Sequence, residues 1–321
     1  MAGGWATQAL YVAAKLGIAD RLRTGARNDA ALAAATTTHA PSLYRLLRVL
    51  ATLGILAELP SHRFRLTDVG KLLCSDHPKK LRNLAILVGE ERYKAWGALL
   101  GTIRTGQPAF DRVYGRKFYQ HFAGTPSKML FDEFLETTAG SIAAQAAAAY
   151  DFSTLGTVVD IGGGEGRFLS VLLKQHPKLR GVLFDTSGVI AKARKNLRVA
   201  GLLGRCQVKA GDFFRSVPTG ADAYVLLRII HEFDDKTASE ILRNCRLASP
   251  QARVLLLQNV LTSSYKADFD KLLDLNMLVV FGGAERTRDQ YRELLKSAGY
   301  RLTRVLHCPQ GTGLIEGSPE D

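Results

Sequence analysis

The stretch from residue 157 to residue 185 constrains the fold of this chain more than any other. It reads TVVDIGGGEGRFLSVLLKQHPKLRGVLFD: an apolar run, a glycine-rich turn, an amphipathic segment and a second apolar run that ends at Asp185. This order is typical of a strand, a helix and a strand in a parallel, doubly wound sheet. The glycines of the turn begin at Gly162 and carry no Cβ, so a ligand can approach their backbone N–H groups closely. The stretch therefore predicts a nucleotide-like ligand at the first turn of the sheet.

The residues of this turn decide between two classes of ligand. A dinucleotide fingerprint needs glycine at its sixth position, which is Arg167 when counted from Gly162. Asp160 precedes the glycines and Glu165 lies among them; carboxylates there would repel a pyrophosphate but suit an ammonium or sulfonium group. Asp185 follows at the spacing of about 20 residues that is expected for a ribose-binding acid. The turn therefore favours S-adenosylmethionine as the ligand. The alternative, a nicotinamide dinucleotide, would make the chain an oxidoreductase.

Size and composition narrow the class of protein further. The 321 residues are enough for two domains, and no apolar run reaches the roughly 18 residues that a membrane span needs. The chain opens without an export leader, and its four cysteines form no C-x-x-C pair. The net charge of +13 is spread out, which favours a solvated basic surface over a nucleic-acid site. We therefore expect a cytoplasmic protein without a disulfide framework, a zinc site, a membrane span or a nucleic-acid partner.

The first part of the chain has the order of a winged helix. Apolar spacing and capping residues predict helices over 5–23, 29–35 and 42–53, followed by strands over 55–59 and 63–67. One interpretation is a DNA-binding regulator, with Arg45 and Arg48 facing the major groove. The other is a module for protein association, and the strongly apolar third helix favours it.

Two long helical segments, 80–103 and 131–150, enclose an aromatic-rich connection. The aromatic residues are Phe110, Tyr114, Phe118, Tyr119 and Phe122. They either line a pocket for a flat substrate or form ordinary core, and the sequence leaves both interpretations open. After residue 157, strands and helices alternate up to an antiparallel hairpin over 300–306 and 313–316. We predict two domains, 1–150 and 151–321.

A histidine and a glutamate are the candidates for chemistry. A predicted strand over 223–230 runs into His231, and open α/β sheets keep their active sites at the carboxyl ends of strands. A histidine there can act as a general base. Glu285, in the segment GGAERT, could accept a hydrogen bond from the far ring nitrogen of His231 and fix its tautomer. The alternatives are that His231 caps the next helix and that Glu285 complements a helix N-terminus.

These motifs together resemble the S-adenosylmethionine-dependent small-molecule O-methyltransferases, which include the plant caffeate and hydroxyindole enzymes and bacterial pigment and antibiotic enzymes. The resemblance covers almost the whole chain and is carried by D-x-G-G-G-x-G, G-D-F-F, H-E-F and G-G-x-E-R-T, in that order. It implies an α/β fold, with a Rossmann-like doubly wound methyltransferase sheet after a mainly helical, winged-helix-like dimerisation domain. It also implies a homodimer that methylates a hydroxyl group of an aromatic small molecule.

The resemblance assigns roles to particular residues. His231 is implied as the base and Glu285 as the residue that orients it, with no metal. The implied contacts to S-adenosylmethionine come from Asp160, Gly162, Gly164, Asp185, Asp212, Phe213 and Arg228. The implied substrate pocket contains Phe131, Leu135, Gln258, Asn276 and Met277.

Two positions depart from the family pattern. Leu227 stands where the family has a cofactor-binding lysine, and Arg228, one place later, is the expected substitute. Gln258 stands where plant members usually carry a second glutamate. Because some members of the family keep the cofactor but hydroxylate or decarboxylate their substrates, Gln258 leaves altered chemistry open as an alternative.

Overall fold

The computed structural model describes residues 2–262, 268–308 and 312–320. The chain divides into two compact units. Unit 1 comprises Met1–Leu100 and Phe110–Thr137, and unit 2 comprises Gly101–Ala109 and Thr138–Asp321. The predicted domain boundary at residue 150 stays a prediction. No helix in the described ranges is long and apolar enough to cross a membrane.

Unit 1 begins with short helices and a small sheet. Its first elements are α1 (Gly3–Leu16), α2 (Ile18–Arg21), β1 (Arg27–Asn28), α3 (Asp29–Thr36), α4 (Ala40–Thr52), β2 (Leu56–Leu59), β3 (Arg63–Leu66) and α5 (Asp68–Lys71). The predicted helix over 5–23 is two helices, because Gly17 adopts a left-handed φ of 65° and ends α1. The predicted cap of α3 is confirmed, since the Asn28 side chain accepts a hydrogen bond from the N–H of Ala31 at 2.8 Å. The strands form an antiparallel sheet in the order β1-β3-β2.

The predicted long helix over 80–103 is interrupted. It consists of α6 (Leu81–Leu87), a π-helical turn (Val88–Arg92), α7 (Tyr93–Gly97) and α8 (Leu99–Thr105). A Cβ on Gly89 would lie 2.2 Å from Cβ of Tyr11, so the widened turn lets the bare backbone pack against that side chain. The chain continues through α9 (Ala109–Tyr114), α10 (Phe118–Phe122) and α11 (Pro126–Ala149).

The aromatic connection contributes mainly to the core of unit 1. Phe110, Phe118, Phe122 and Phe131 are each at most 5% exposed. Ring centroids of Phe118 lie 5.1 Å from Phe110, 4.6 Å from Phe122 and 5.2 Å from Phe131. Tyr119 is different, because half of it is exposed. For Phe110, Phe118 and Phe122 of the connection, the core interpretation is therefore confirmed.

Unit 2 contains the predicted doubly wound sheet. Its elements are β4 (Thr157–Ile161), α12 (Arg167–Gln175), β5 (Arg180–Asp185), α13 (Ser187–Val199), β6 (Cys206–Ala210), β7 (Ala223–Leu227), α14 (Asp235–Ala248), β8 (Arg253–Leu261), α15 (Phe269–Phe281), β9 (Arg286–Thr287), α16 (Arg288–Ser297), β10 (Tyr300–His307) and β11 (Thr312–Pro319). The strand order is β10-β11-β8-β7-β4-β5-β6, with β9 beside β8. Strands β4 to β8 are parallel, and the predicted antiparallel hairpin is confirmed as β10 and β11.

Both faces of this sheet are covered by helices. Val158 of β4 packs in one cluster with Leu169 of α12, whereas Val159 packs in the other with Leu242 of α14. Successive side chains of a strand point to opposite faces, so two layers of helix need two apolar faces. Because β4 to β8 are parallel, all five strands end at one edge of the sheet, where their loops can meet.

A buried carboxylate ties the closing hairpin to the sheet. Glu316 of β11 is 3% exposed and accepts hydrogen bonds from Tyr150 at 2.8 Å and Arg304 at 2.5 Å. Arg253 adds a contact at 3.3 Å. Burial raises the pKa of Glu316, but the hydrogen bonds from Arg304, Tyr150 and Thr303 outweigh it and hold the pKa below its usual value.

We expect Glu316→Gln to destabilise the fold by about 1–3 kcal/mol at neutral pH, because the half-exposed arginines lose a charged partner. A pKa that folding lowers contributes stability above the unfolded pKa, and this stability is lost as the pH falls through the folded pKa. The difference in the free energy of unfolding between variant and parent should therefore shrink below a pH of about 4. Urea unfolding across this range is the measurement, with Glu293→Gln on the exposed face of α16 as control. An equal difference at all pH values would contradict the prediction.

Candidate active site

The glycine turn after β4 is shaped to receive a ligand. Gly162 and Gly164 adopt left-handed φ values of 67° and 56°. A Cβ on Gly162 would lie 2.6 Å from Cδ1 of Ile229, so a side chain would fill the space beside the turn. The N–H of Gly164 donates to Oδ2 of Asp185 at 2.9 Å. The turn and the end of β5 therefore form one rigid corner.

Acidic side chains lie at and beneath this corner. Asp185 is half-buried at the end of β5, and its Oδ1 accepts from the N–H of Thr186 at 2.6 Å. Asp160 is 1% exposed, and a Cβ on Gly163 would lie 2.8 Å from its Oδ2. Bare backbone and a carboxylate at the strand end suit a ribose-bearing cofactor with a positive charge. The corner thus fits S-adenosylmethionine.

Glu165, which the sequence placed among the acidic groups that face the ligand, is paired within the protein. Its carboxylate forms an ion pair with Lys192 and lies within hydrogen-bond distance of Asn196, both on α13. Its charge is therefore matched by a lysine of the same unit. The negative character of the corner comes from Asp160 and Asp185.

The next strand contributes the segment predicted to flank an adenine. The N–H of Gly211 donates to the carbonyl of Asp185 at 3.0 Å, which brings Asp212 to the same edge. A Cβ on Gly162 would lie 4.0 Å from Cε1 of Phe213, so this ring lies beside the glycine turn. The sheet therefore brings the predicted cofactor residues of β4, β5 and β6 together, and their contacts with a cofactor stay predictions.

His231 and Glu285 form a buried pair. His231 lies in a 3-10 turn after β7 and is 4% exposed, and Glu285 is 2% exposed. Nδ1 of His231 lies 2.7 Å from Oε1 of Glu285, which is the hydrogen bond expected from the sequence. A carboxylate only accepts hydrogen bonds, so the proton lies on Nδ1 and Nε2 is left as an acceptor. The helix cap that was the alternative for His231 is wrong, because Asp234 caps α14.

The charge state of His231 follows from its surroundings. Burial lowers the pKa of His231, because the imidazolium is poorly solvated there. The hydrogen bond to Glu285 raises this pKa in part, and the charges of Arg228 and Arg286 lower it. The net direction is downward, so the ring is neutral at neutral pH. A neutral ring with Nε2 unprotonated is the form that accepts a proton.

Arg286 was not predicted to have a role, although it belongs to the GGAERT motif. It is 2% exposed and donates to the carbonyls of Ile230 at 3.3 Å and Phe233 at 2.8 Å. Its Nε also donates to Asp235 at 2.7 Å. Arg286 thereby holds the backbone on both sides of His231. The sequence signal was an arginine directly after the candidate Glu285.

Gln258 and Arg228 lie around the same turn. Gln258 of β8 is fully buried. With its amide oxygen turned to the main chain, it accepts from the N–H groups of Ile229 at 3.1 Å, Arg228 at 3.2 Å and Ile230 at 3.3 Å. The guanidinium of Arg228 reaches Oδ1 of Asn259 at 3.2 Å. Gln258 thus supports the backbone that carries His231, and the cofactor contact of Arg228 stays a prediction.

The residues predicted to form the substrate pocket belong to both units. Phe131 is in the core of unit 1, and Leu135 of the same unit is 37% exposed. In unit 2, Asn276 and Met277 lie on α15, with Met277 6% exposed, and Gln258 has no exposed surface. Their contacts with a substrate stay predictions.

The doubly wound sheet, its glycine turn and the acidic end of its second strand define the class of S-adenosylmethionine-dependent methyltransferases. Residues 96–301 match the O-methyltransferase domain, and residues 1–76 match the O-methyltransferase dimerisation domain. The chain belongs to this O-methyltransferase family. It is an enzyme with S-adenosylmethionine as cofactor, as the sequence motifs predicted.

Relatives with known names cover almost the whole chain. A phenazine O-methyltransferase of Lysobacter antibioticus is 40% identical, over 99% of this chain and 94% of that protein. An aclacinomycin 10-hydroxylase of Streptomyces purpurascens is 38% identical, over 92% of this chain and 81% of that protein. An O-methyltransferase from neocarzinostatin biosynthesis, solved with S-adenosylmethionine and 2-hydroxy-5-methyl naphthoic acid, superimposes with a TM-score of 0.86. Its identity is 34%, over 99% of this chain and 96% of that chain.

Asp185→Ala should weaken the binding of S-adenosylhomocysteine about 10- to 100-fold, because one or two charged hydrogen bonds to the ribose are lost. Isothermal titration calorimetry measures the affinity, and circular dichroism shows that the variant is folded. Asp289→Ala removes a carboxylate from α16, where its side chain is 80% exposed, and should bind like the parent. Unchanged affinity in the folded Asp185 variant would remove this residue from the cofactor site.

Gly283→Ala should reduce turnover about 10-fold or more, because catalysis depends on the position of His231 to within about 1 Å. A Cβ on Gly283 would lie 2.1 Å from the carbonyl oxygen of His231, so the backbone must shift. Gly188→Ala is the matched control, since a Cβ at this helical glycine meets nothing within 4 Å. Steady-state kinetics and thermal melting compare the two variants. Equal turnover in both would contradict the close packing at Gly283.

Proposed function

We propose that this chain is a homodimeric, metal-independent O-methyltransferase that methylates a hydroxyl group of an aromatic small molecule, with His231 as general base. The observation that carries this proposal is the buried hydrogen bond of 2.7 Å between Nδ1 of His231 and Glu285. It leaves Nε2 as the atom that takes the proton of the acceptor hydroxyl. Support for an aromatic natural product comes from relatives whose names specify phenazine and naphthoic acid compounds.

The residues divide the work between binding and proton transfer. Gly162, Gly164 and Asp185 hold the cofactor, which when bound supplies the methyl group of its sulfonium. His231 removes the hydroxyl proton, so that the acceptor oxygen becomes a better nucleophile. Glu285 stabilises the imidazolium that forms and keeps the ring in one orientation. The protein therefore contributes mainly position and deprotonation.

The charges around His231 support metal independence. The pair of His231 and Glu285 offers one nitrogen and one carboxylate, and Arg228 lies 3.9 Å from that carboxylate. A guanidinium so close opposes the binding of a divalent cation. Within the described residues, one group of three ligand-type side chains lies close enough to hold a metal ion, and it is Asp20, Cys74 and Asp76 in unit 1. Chelators should therefore leave methyl transfer unchanged.

We further propose that the winged-helix-like front of unit 1 serves dimerisation and not DNA binding. The match of residues 1–76 to a dimerisation domain supports this role. Leu43, Leu47 and Leu50 of α4 are buried, and the guanidinium of Arg48 lies 5.7 Å from the ring centroid of Tyr44. A cytoplasmic location stays a prediction, supported by four buried cysteines that form no disulfide in the described chain.

A second candidate function is altered chemistry on the same cofactor. The 38% identity to a protein named as a 10-hydroxylase is the observation that favours it. Mass spectrometry of the product separates the two functions. A product in which a methyl group has replaced one hydrogen supports methyl transfer, and a product that has gained oxygen or lost a carboxyl group supports the alternative.

His231→Asn should reduce methyl transfer about 10²- to 10⁴-fold, the usual contribution of a general base, and leave the affinity for S-adenosylhomocysteine unchanged. The assay follows labelled methyl groups from S-adenosylmethionine to a panel of phenolic acceptors. In the parent enzyme, kcat/KM should fall only below the ordinary pKa of histidine, because burial lowers the pKa of His231. Turnover that survives the substitution would exclude His231 as the base.

A further inference from the structure

Arg228 adopts an unusual backbone conformation directly after β7. Its φ is 53°, in the left-handed region that favours glycine. Of the described residues of unit 2, it is the one non-glycine residue with a positive φ. Non-glycine residues in this conformation are found mainly where the surrounding structure holds them, often at functional sites. A large cationic residue at such a position points to a role for its side chain.

The side chain of Arg228 points to the catalytic pair. Its Nη2 lies 3.9 Å from Oε1 of Glu285, the same oxygen that lies 2.7 Å from Nδ1 of His231. Its Nη1 donates to Asn259 at 3.2 Å, and Asn259 donates to Asp270 at 3.0 Å. The guanidinium is thus oriented from one side by an amide, and one quarter of the side chain is exposed.

The charges that face His231 come from several elements. Arg228 follows β7, Glu285 and Arg286 precede α16, and Asp270 and Asp274 lie on α15. Arg286 is matched by Asp235 at 2.7 Å. The main chain of Glu285 donates to Asp274 at 3.0 Å, and burial raises the pKa of Asp270 and of Asp274. Oε2 of Glu285 has no hydrogen-bond partner in the described part of the chain, and beside His231 the carboxylate forms an ion pair with Arg228.

We propose that Arg228 is a positioning residue of the active site, whose guanidinium lies beside the Glu285 carboxylate and opposes a positive charge on the imidazole of His231. The inference rests on the proposed function, because it concerns the residue proposed as the base. It gives Arg228 a role beside the catalytic pair, and the cofactor contact expected from the sequence stays a prediction. Together with burial and Arg286, Arg228 thereby helps His231 to stay neutral, and so able to take a proton from the acceptor.

Arg228 and Glu285 have opposite effects on the pKa of His231. The charge of Arg228 disfavours the imidazolium, so its removal should raise the pKa of His231. Glu285 favours the imidazolium, so Glu285→Gln should move the pKa of His231 in the opposite direction. Arg228→Gln should therefore move the titration of His231 toward higher pH. Activity at acidic pH should fall accordingly, whereas activity at alkaline pH should change little.

The experiment measures the His231 imidazole itself. The full-length enzyme is labelled in its seven histidines, and the His231 signal is assigned by its absence in His231→Asn. Its NMR titration is compared in the parent and in Arg228→Gln, Arg228→Lys and Arg228→Gly. Lysine keeps the charge, and glycine removes the side chain while relieving the left-handed backbone. Lys80→Gln is the matched control, because Lys80 is a cation with a φ of 50° in unit 1.

The inference holds if, in the cofactor-free enzyme, glutamine and glycine at position 228 both raise the pKa of His231, and lysine and Lys80→Gln leave it in place. An unmoved pKa in Arg228→Gln would overturn it, and so would lost cofactor affinity without a pKa shift. If His231 titrates in Arg228→Gly as it does in the parent, the inference is also overturned, because only the backbone conformation of residue 228 would then matter. Methyl transfer that survives His231→Asn would instead contradict the proposed function. The titration of His231 would still decide the role of Arg228.

Discussion

The hydrogen bond between His231 and Glu285 is the interaction on which the site depends, and much of unit 2 is arranged to hold it. A carboxylate that is 2% exposed requires partners, because an isolated buried charge is strongly disfavoured. The carboxylate has His231 at 2.7 Å and Arg228 at 3.9 Å, and the groups that support the surrounding backbone come from elements far apart in sequence. Asp274 of α15 takes the N–H of Glu285, and Arg286 holds the carbonyls beside His231. Gln258 of β8 receives three N–H groups of the same turn. The pair is therefore a product of the whole sheet edge.

The same edge also carries the cofactor corner, which explains how one fold serves two tasks. Parallel strands place the ends of β4, β5 and β6 beside the end of β7. The glycine turn touches Ile229, two residues before His231, so the cofactor corner and the base share a boundary. Acidic groups gather at the corner, whereas arginines lie close to the base. This separation keeps a cationic ligand on one side and a neutral imidazole on the other.

Much of the fold and of the candidate site was predictable from local patterns in the sequence. Asp185 and the glycine turn follow from spacing, and His231 follows from the end of a strand. The pairing with Glu285 followed from chemistry, since a buried histidine base needs an acceptor for its second nitrogen. Other features escaped local rules. Gly17 and the π-helical turn divide helices that periodicity alone makes continuous. Glu165 is paired with Lys192 of α13, which no turn motif reveals.

The sequence by itself determined the alternation of strands and helices, the class of cofactor and the chemical types at the site, because these depend on periodicity, glycine conformations and side-chain functional groups. Only the tertiary structure decided which groups neutralise, support or oppose one another. Gln258 faces backbone N–H groups, Arg228 faces Glu285, and Arg286 braces the turn of His231. The physical reason is that electrostatic and hydrogen-bond effects depend on distances of a few ångströms between residues separated by tens of positions, and on the burial that strengthens them.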